Sequence, residues 1–371
     1  MKKNIAVING DGIGIEVTTQ SIRVLRAIAE RYHHEFNYTY CLMGANAIEK
    51  TGSSLPNETI EVCLNSDAIL LGALSPLKYE KDTISKEKRE QGLLKLRKSL
   101  QLFANIRPVT GYPSLLHLSP LKEKQMKGVD FIIFRELTGG IYFGKKDINK
   151  QHNLAWDECT YTSTEIERIA HIAFKNAQFR KKKLTLVDKA NVLVTSGLWR
   201  EVVQKVAQQY SDVEVEYMFV DNAAMQIILN PKQFDIILTE NMFGDILCDE
   251  ASVINGSIGM LPAASYGVCN ALFEPVIGSY PQAAGKDIVN PIGAILSAAM
   301  MLDYFQLHEE AAMVRQGVIW TLKNNFVTKD IDPINFYFTS TVGELVSDYV
   351  TNKIHDEINK ENIELRKSTI I

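Results

Sequence analysis

Cysteine is scarce and scattered in this chain. Its five cysteines (Cys41, Cys63, Cys159, Cys248 and Cys269) are odd in number and form no Cys-x-x-Cys pair. That argues against a disulfide framework and a cysteine zinc site, and fits a reducing compartment. Long apolar runs are also missing. No stretch approaches the roughly eighteen apolar residues of a membrane span, and the run after the lysines of "MKKNIAVINGDGIG" is too short for a signal peptide. Excess positive charge is absent too: the formal net charge is −4, whereas binding to nucleic-acid phosphates needs a basic face. The one basic run, "RKKK" at Arg180 to Lys183, reads as a solvated helix end. There is no internal repeat, low-complexity tract or long linker. A soluble cytoplasmic α/β protein is expected, with neither a nucleic-acid nor a membrane partner.

The length of 371 residues suggests about two domains. Short apolar runs alternate with helical-period segments, the pattern of a layered α/β fold. "NIAVI" predicts a first strand that runs into the turn Gly10-Asp11-Gly12-Ile13-Gly14, followed by an amphipathic helix from Glu16 to about Arg31. "DAILLGA", "VDFIIF", "KLTLVD", "EVEYMFV" and "FDIILT" predict further strands. The last four run straight into Arg135-Glu136, Asp188-Lys189, Asp221-Asn222 and Glu240-Asn241. In open α/β sheets ligands bind outside the carboxyl ends of strands, so these pairs are site candidates. "KDTISKEKRE" (81–90) reads as a mobile surface loop leading into a helix, and "NKENIELRKSTII" as a loosely held tail.

In "FGDILCDEAS", Asp245 and Asp249 are four residues apart. On a helix starting near Gly244 they lie within about 40° of each other, with Glu250 off that face and Leu247, Ala251 and Ile254 opposite. Paired carboxylates suit hard cations such as Mg²⁺ or Mn²⁺. By spacing alone, a solvated helix face with a dipole-favoured aspartate accounts for them at least as well. The glycine turn lacks the third glycine of a Rossmann fingerprint, because position 15 is Ile15. "GSYPQAAGKD" likewise fails as a Walker A loop. Arg97, Arg107 and Arg135 are candidate carboxylate holders. Lys189 at a strand end is a candidate acid/base and Tyr142 a candidate proton donor. Taken singly, each is also explained as a solvated or core residue.

Taken in order, "LLKLRKSLQLFANIRPV", "RELTGGIYFG", "DKANVL", "VDNAAMQ", "FGDILCDEAS", "GSIGMLPAAS" and "EPVIGSYPQAAGKDIVNP" closely resemble the β-decarboxylating dehydrogenases of the isocitrate/isopropylmalate dehydrogenase family. Within it the isopropylmalate branch of leucine biosynthesis is most similar, and the resemblance fades beyond Phe305. It implies a two-domain, non-Rossmann fold with a ten-stranded mixed sheet, residues 1–103 plus 258–371 in one domain and 104–257 in the other. It also implies a homodimer with active sites between domains that borrow residues from the partner chain.

On that resemblance Arg97, Arg107 and Arg135 would clamp a malate-like substrate. Asp245 and Asp249 would hold Mg²⁺ or Mn²⁺ with Asp221 of the neighbouring subunit, which would also supply Lys189 and Asn191. Lys189 would take the hydroxyl proton and Tyr142 would protonate the enol carbon after CO₂ is lost. Glu90, Leu93, Leu94 and Val192 would face the third substituent; two leucines and a valine suit the isopropyl group of 3-isopropylmalate and disfavour isocitrate. NAD would lie against Ile13, Glu274, Ile277, Gly278, Ser279, Tyr280, Gln282 and Asn290.

Several positions depart from the family pattern. Ile15 stands where proline is common, which predicts a modest stability loss and no loss of chemistry. In a loop commonly reading E-P-x-H-G-S-A-P-D-I-A-G, the chain has Ile277, Tyr280, Gln282 and Ala283. Gln282 can hydrogen-bond a ribose yet repels no 2′-phosphate, so NAD is expected with weaker discrimination against NADP. The loop around Pro76 lacks the usual glycine pair, which bears on cofactor contacts. A D-malate, tartrate or homoisocitrate dehydrogenase would share the clamp and the metal. A non-catalytic regulatory subunit is disfavoured by the intact arginines, aspartates, Lys189 and Tyr142. A metal-dependent phosphoryl-transfer enzyme is disfavoured by the lack of a phosphate cradle.

Overall fold

The structure, a computed structural model, describes residues 1–74 and 89–354, with the side chains of 89–91 and 255 outside that description. The Pro76 loop, most of "KDTISKEKRE" and the tail from 355 therefore lie outside the described residues. The chain divides into two compact units: unit 1 from Met1–Leu100 together with Gly256 onward, and unit 2 from Gln101–Asn255.

In chain order the strands are β1 (Lys2–Gly10), β2 (Glu35–Cys41) and β3 (Ala68–Ala73) in unit 1, then β4 (Ala104–Thr110), β5 (Asp130–Glu136), β6 (Lys146–Asn149), β7 (Leu154–Asp157), β8 (Lys183–Asp188), β9 (Glu214–Phe219) and β10 (Ile236–Thr239) in unit 2. The chain then returns to unit 1 with β11 (Pro262–Tyr266) and β12 (Ala271–Pro275). Ten of them form a mixed sheet. Unit 1 supplies five in the order β2-β1-β3-β12-β11 and unit 2 five in the order β4-β5-β10-β8-β9, while β6 and β7 pair as a separate hairpin.

β1 pairs parallel with β2 and β3, and β11 antiparallel with β12. The all-buried β3, AILLGA, reads as a continuous apolar run because both its faces are covered. After β1 the chain turns at Gly10 (φ 74°) and Gly12 (φ 55°), conformations a side chain rarely adopts. The helix Gly14–Tyr32 then begins two residues earlier than the expected Glu16 and buries the stripe Val17, Ser21, Val24, Leu25 and Ile28. Ile15 sits exposed in its first turn, where the backbone N–H groups lack intrahelical partners.

In unit 2, β5, β10, β8 and β9 run parallel, with β4 antiparallel to β5. Their register aligns Asn105, Arg135, Thr239, Val187 and Met218 in one row. Every polar or charged pair flagged in the sequence therefore falls at or just beyond the same edge. The helix Asn241–Ser252 starts three residues before the expected Gly244. Leu247, Ala251 and Ile254 are buried as expected, against Phe131, Ile133 and Ile237.

One expectation needs correction: the basic run is not simply solvated. Arg180 is bound to Asp130 and the buried Asp235, Lys182 to Asp212 and Lys183 to Glu216. Carboxylates on neighbouring strand ends and turns absorb its charge.

Candidate active site

Unit 2 holds the candidate acid/base and metal-binding residues and two of the three arginines. Arg135 ends β5 almost fully buried; its Nε donates to Asn241 Oδ1 at 3.0 Å, and Nη1 pairs with Asp245 Oδ1. Asn241 is fixed in turn, its backbone N–H donating to Tyr161 Oη at 3.0 Å and its side-chain amide to the Gly139 carbonyl at 3.2 Å. Gly139 and Gly140 leave no room for a side chain against the Tyr161 ring. The second oxygen of Asp245 accepts the Tyr142 hydroxyl at 2.9 Å. Asp245 therefore joins two residues that sequence reasoning had proposed separately. Burial first, then the hydrogen bond and charge of Asp245, raise the Tyr142 pKa, so the phenol stays protonated as a donor.

Asp249, one helical turn on, has a side chain 73% exposed and reaches Arg107 Nη1 at 3.5 Å. Arg107 Nε donates to the buried Asn105 at 2.8 Å. The two aspartates thus share a face lined by two guanidinium groups. Glu250 takes no part in these contacts; burial raises its pKa.

Lys189 leaves the end of β8 and its Nζ meets Asp221 Oδ1 at 2.7 Å. This pairing holds the Asp221 carboxyl below its ordinary pKa, with the hydrogen bond from Lys189 the largest cause. The turn is built by Asp188, which grips Arg200 through two bonds of 2.6 and 3.1 Å and accepts from Ala190 N–H at 2.9 Å. Asn191 and Val192 follow, both exposed. Residues assigned to a neighbouring subunit's site are thus neighbours of one another here. Among the described residues, no three His, Cys, Asp or Glu side chains of this chain converge as a metal cage. The donor set of Asp245 and Asp249 is all-oxygen and fits a hard cation, with a third carboxylate to come from elsewhere.

Unit 1 holds the other candidates. Arg97, on the helix Arg89–Ser99, is largely buried; Nη2 meets Glu274 Oε1 at 3.2 Å while Nε has no partner among the described residues. Leu93 and Leu94 lie half-buried on the same helix; the Glu90 side chain is outside the described residues. Ile13 donates its backbone N–H to the Ser279 carbonyl at 2.9 Å, and a Cβ at Gly12 would lie 2.0 Å from that oxygen. Ser279 Oγ is buried without a partner among the described residues. Gly278, Tyr280 and Gln282 are exposed. This loop, with an orphaned hydroxyl and an exposed amide, fits a dinucleotide. Ile277 packs against the apolar cluster of Ile13, Val17, Ala73 and Ala283, which gives the aliphatic replacement a packing role. The Asn290 side chain is committed internally: its amide donates to Asp330 at 3.0 Å and its oxygen accepts Ile292 N–H at 3.0 Å.

Sequence reasoning flagged Glu240 only as a strand-end neighbour. It is buried at the start of the aspartate-bearing helix, Oε2 has no partner among the described residues, and burial with the nearby Asp188 charge pushes its pKa up to about 7. A carboxyl whose folded pKa lies above its unfolded value binds more protons in the native state. Stability therefore falls as pH rises from about 4.3 toward 7 and levels off above it. Glu240→Gln should remove that slope and stabilise the protein by roughly 1–3 kcal/mol at pH 8 relative to pH 5. Urea unfolding of both proteins at the two pH values tests this; an identical wild-type-to-variant gap at both would refute it.

Comparison with known proteins places nearly the whole chain beside one family. The profile of the isocitrate/isopropylmalate dehydrogenase family matches residues 4–346. Among relatives, 3-isopropylmalate dehydrogenase of Bacteroides fragilis is 48% identical over 352 residues, 94% of this chain and 99% of its own. That of Bacillus subtilis is 52% identical over 337 residues, 89% and 92%. Among solved structures, isocitrate dehydrogenase from Methylococcus capsulatus superposes with a TM-score of 0.82 at 30% identity, covering 94% of this chain and 99% of its own. A β-decarboxylating dehydrogenase from Thermococcus kodakarensis gives 0.78 at 35%, covering 96% and 99%.

Proposed function

This chain belongs to the isocitrate/isopropylmalate dehydrogenase family, and from that premise we propose that it oxidises and decarboxylates 3-isopropylmalate with NAD and Mg²⁺ or Mn²⁺, in the cytoplasm, within leucine biosynthesis. The observation that carries the reading is the Arg135–Asp245–Tyr142 chain with Asp249 and Arg107 beside it. It combines carboxylate-holding cations, two hard oxygen donors and a protonated phenol.

Arg97, Arg107 and Arg135 hold the two substrate carboxylates, each guanidinium pre-oriented by a side-chain oxygen of its own unit: Glu274, Asn105 and Asn241 respectively. Asp245 and Asp249, with Asp221 of a second copy, are the residues to hold the divalent cation, which when bound supplies Lewis-acid polarisation of the substrate oxygen. Ile13, Glu274, Ile277, Gly278, Ser279, Tyr280, Gln282 and Asn290 are the residues to hold NAD, which supplies the hydride acceptor. Lys189 removes the proton from the substrate hydroxyl. Tyr142, kept protonated by its surroundings, returns a proton to the carbon that loses CO₂. Leu93, Leu94 and Val192 surround the isopropyl group.

A homodimer suits unit 2, where Met225 and Leu229 on the helix Val220–Leu229, Ile246 on the adjacent helix Asn241–Ser252 and Val253 in the turn after it, with Trp156 on the β6–β7 hairpin, expose large apolar side chains. Exposed large apolar side chains on neighbouring helices suit an interaction face.

A steady-state assay with 3-isopropylmalate, D-malate, tartrate, homoisocitrate and isocitrate tests the substrate. Each lost methylene in an apolar pocket is worth about 1–3 kcal/mol, so kcat/KM for 3-isopropylmalate should exceed that for D-malate at least a hundredfold or so. Preference for a charged or unsubstituted malate would sink the isopropyl assignment. With the exposed Gln282 in the cofactor loop, NAD should be preferred over NADP, and Gln282→Asp should widen the kcat/KM ratio roughly fivefold by adding a charge that repels a 2′-phosphate. A wild-type ratio favouring NADP would overturn the cofactor reading.

A further inference from the structure

We propose that Glu16 is a positioning residue for the adenosine end of NAD, because its carboxylate fills a backbone concavity that shapes the loop carrying Gln282. Glu16 lies in the first turn of the helix Gly14–Tyr32, where a negative charge is favoured by the helix dipole. One carboxylate oxygen accepts Gly285 N–H at 2.5 Å and the other Asp287 N–H at 3.1 Å. Gly285 (φ 77°) and Asp287 (φ 55°) are both left-handed, a backbone arrangement that turns alternate N–H groups toward one point and makes an anion site. Here the anion is the protein's own glutamate.

The rest of the loop is hung from that point. Ser279 is tied to Ile13 at the entry. At the exit Asp287 accepts Ser340 N–H at 2.9 Å and Ser340 Oγ–H at 2.5 Å, and its carbonyl accepts Thr339 N–H at 2.8 Å, starting the helix Thr339–Val350. Between these anchors the short turn Pro281–Ala283 presents Gln282 to solvent, with Tyr280 held at φ 33°. A non-glycine residue in that region carries backbone strain and persists only where its surroundings enforce it. Glu16 is the one carboxylate among the described residues seen to bridge two N–H groups of this loop. Losing it frees the segment between Ser279 and Asp287 to relax.

The inference rests on the reading that residues 277–282 hold the dinucleotide. Isothermal titration of the full chain with NAD and with ADP-ribose, for wild type, Glu16→Gln and Glu16→Asp, separates the possibilities. Glu16→Gln keeps the size but replaces one acceptor by a donor facing an N–H. It should weaken both ligands about tenfold, the scale of one charge-assisted hydrogen bond. KM for NAD should rise in step, with kcat and KM for 3-isopropylmalate within about twofold of wild type. Amide exchange at Gly285 and Asp287 should quicken. Glu16→Asp retains the charge at shorter reach, should give an intermediate loss, and serves as the deciding variant if Glu16→Gln folds poorly. Unchanged affinity for both ligands with a lowered Tm would overturn the proposal, leaving Glu16 a purely structural strut. A wild type that binds neither ligand would instead overturn the reading of the loop itself.

Discussion

Lys189→Ala should lower kcat by about a thousandfold, within the range of 10²–10⁴ that a positioned general base contributes, while leaving the fold intact. The reason lies in how the residue is mounted. Its backbone is fixed without the ammonium: Lys189 N–H donates to Ser196 Oγ at 3.1 Å, and Asp188 with Arg200 secures the preceding position. The side chain runs over the Phe219 ring, 5.9 Å from its centroid, to the exposed Asp221. Removing it takes away a proton acceptor and little packing.

Lys189→Arg sharpens the test. Guanidinium keeps the positive charge and a partner for Asp221, yet does not release its proton at working pH. If the ammonium only balances Asp221, the arginine variant should be nearly as active as wild type. If it exchanges a proton with the substrate hydroxyl, arginine should be almost as poor as alanine. Steady-state kcat and KM for all three proteins, with thermal unfolding as control, decide this. A kcat for Lys189→Ala near that of wild type would make the proposed mechanism wrong.

Much of the fold was readable because strand-ends and periodicity are local signals. The four parallel strands of unit 2 each announced a polar or charged pair at the carboxyl end, and the register brought those ends into one row. The aspartate face was readable for the same reason: a period of 3.6 fixes relative angles whichever residue starts the helix. Three residues of error in that start changed nothing. What escaped were roles set by partners distant in sequence. Glu16 and Gly285 meet 269 positions apart, and nothing near either predicts it. Asp11 looked like part of a tight junction, yet it is buried and accepts the N–H groups of Ala45 and Asn46 at the start of the helix Ala45–Thr51. Asn290, expected at the cofactor by resemblance, also bonds Asp330 and the start of a buried helix, which its local sequence does not announce. Glu240 carries no motif at all; its shifted proton comes from burial beside Asp188.

Asp245→Asn and Asp249→Asn should both cut kcat/KM by at least about a hundredfold, the scale of losing a cation ligand that stabilises developing charge, yet they should differ in stability. Asp245 balances the buried Arg135 and orients Tyr142, so its neutralisation removes the carboxylate paired with a buried guanidinium, at a cost of about 1–3 kcal/mol. Asp249 is 73% exposed and touches Arg107 only at 3.5 Å, so its replacement should alter unfolding by no more than about 0.5 kcal/mol. Chelation of wild type should abolish turnover, and added Mg²⁺ or Mn²⁺ should restore it. Unfolding in denaturant and steady-state rates over a range of added cation measure both effects. Asp249 is the discriminating position, because a solvated helix face and a cation site predict the same stability there and opposite activities. An Asp249→Asn enzyme with wild-type turnover would return the pair to a solvated face. An inactive but equally stable one requires the carboxylate to act on something the folded chain alone does not hold.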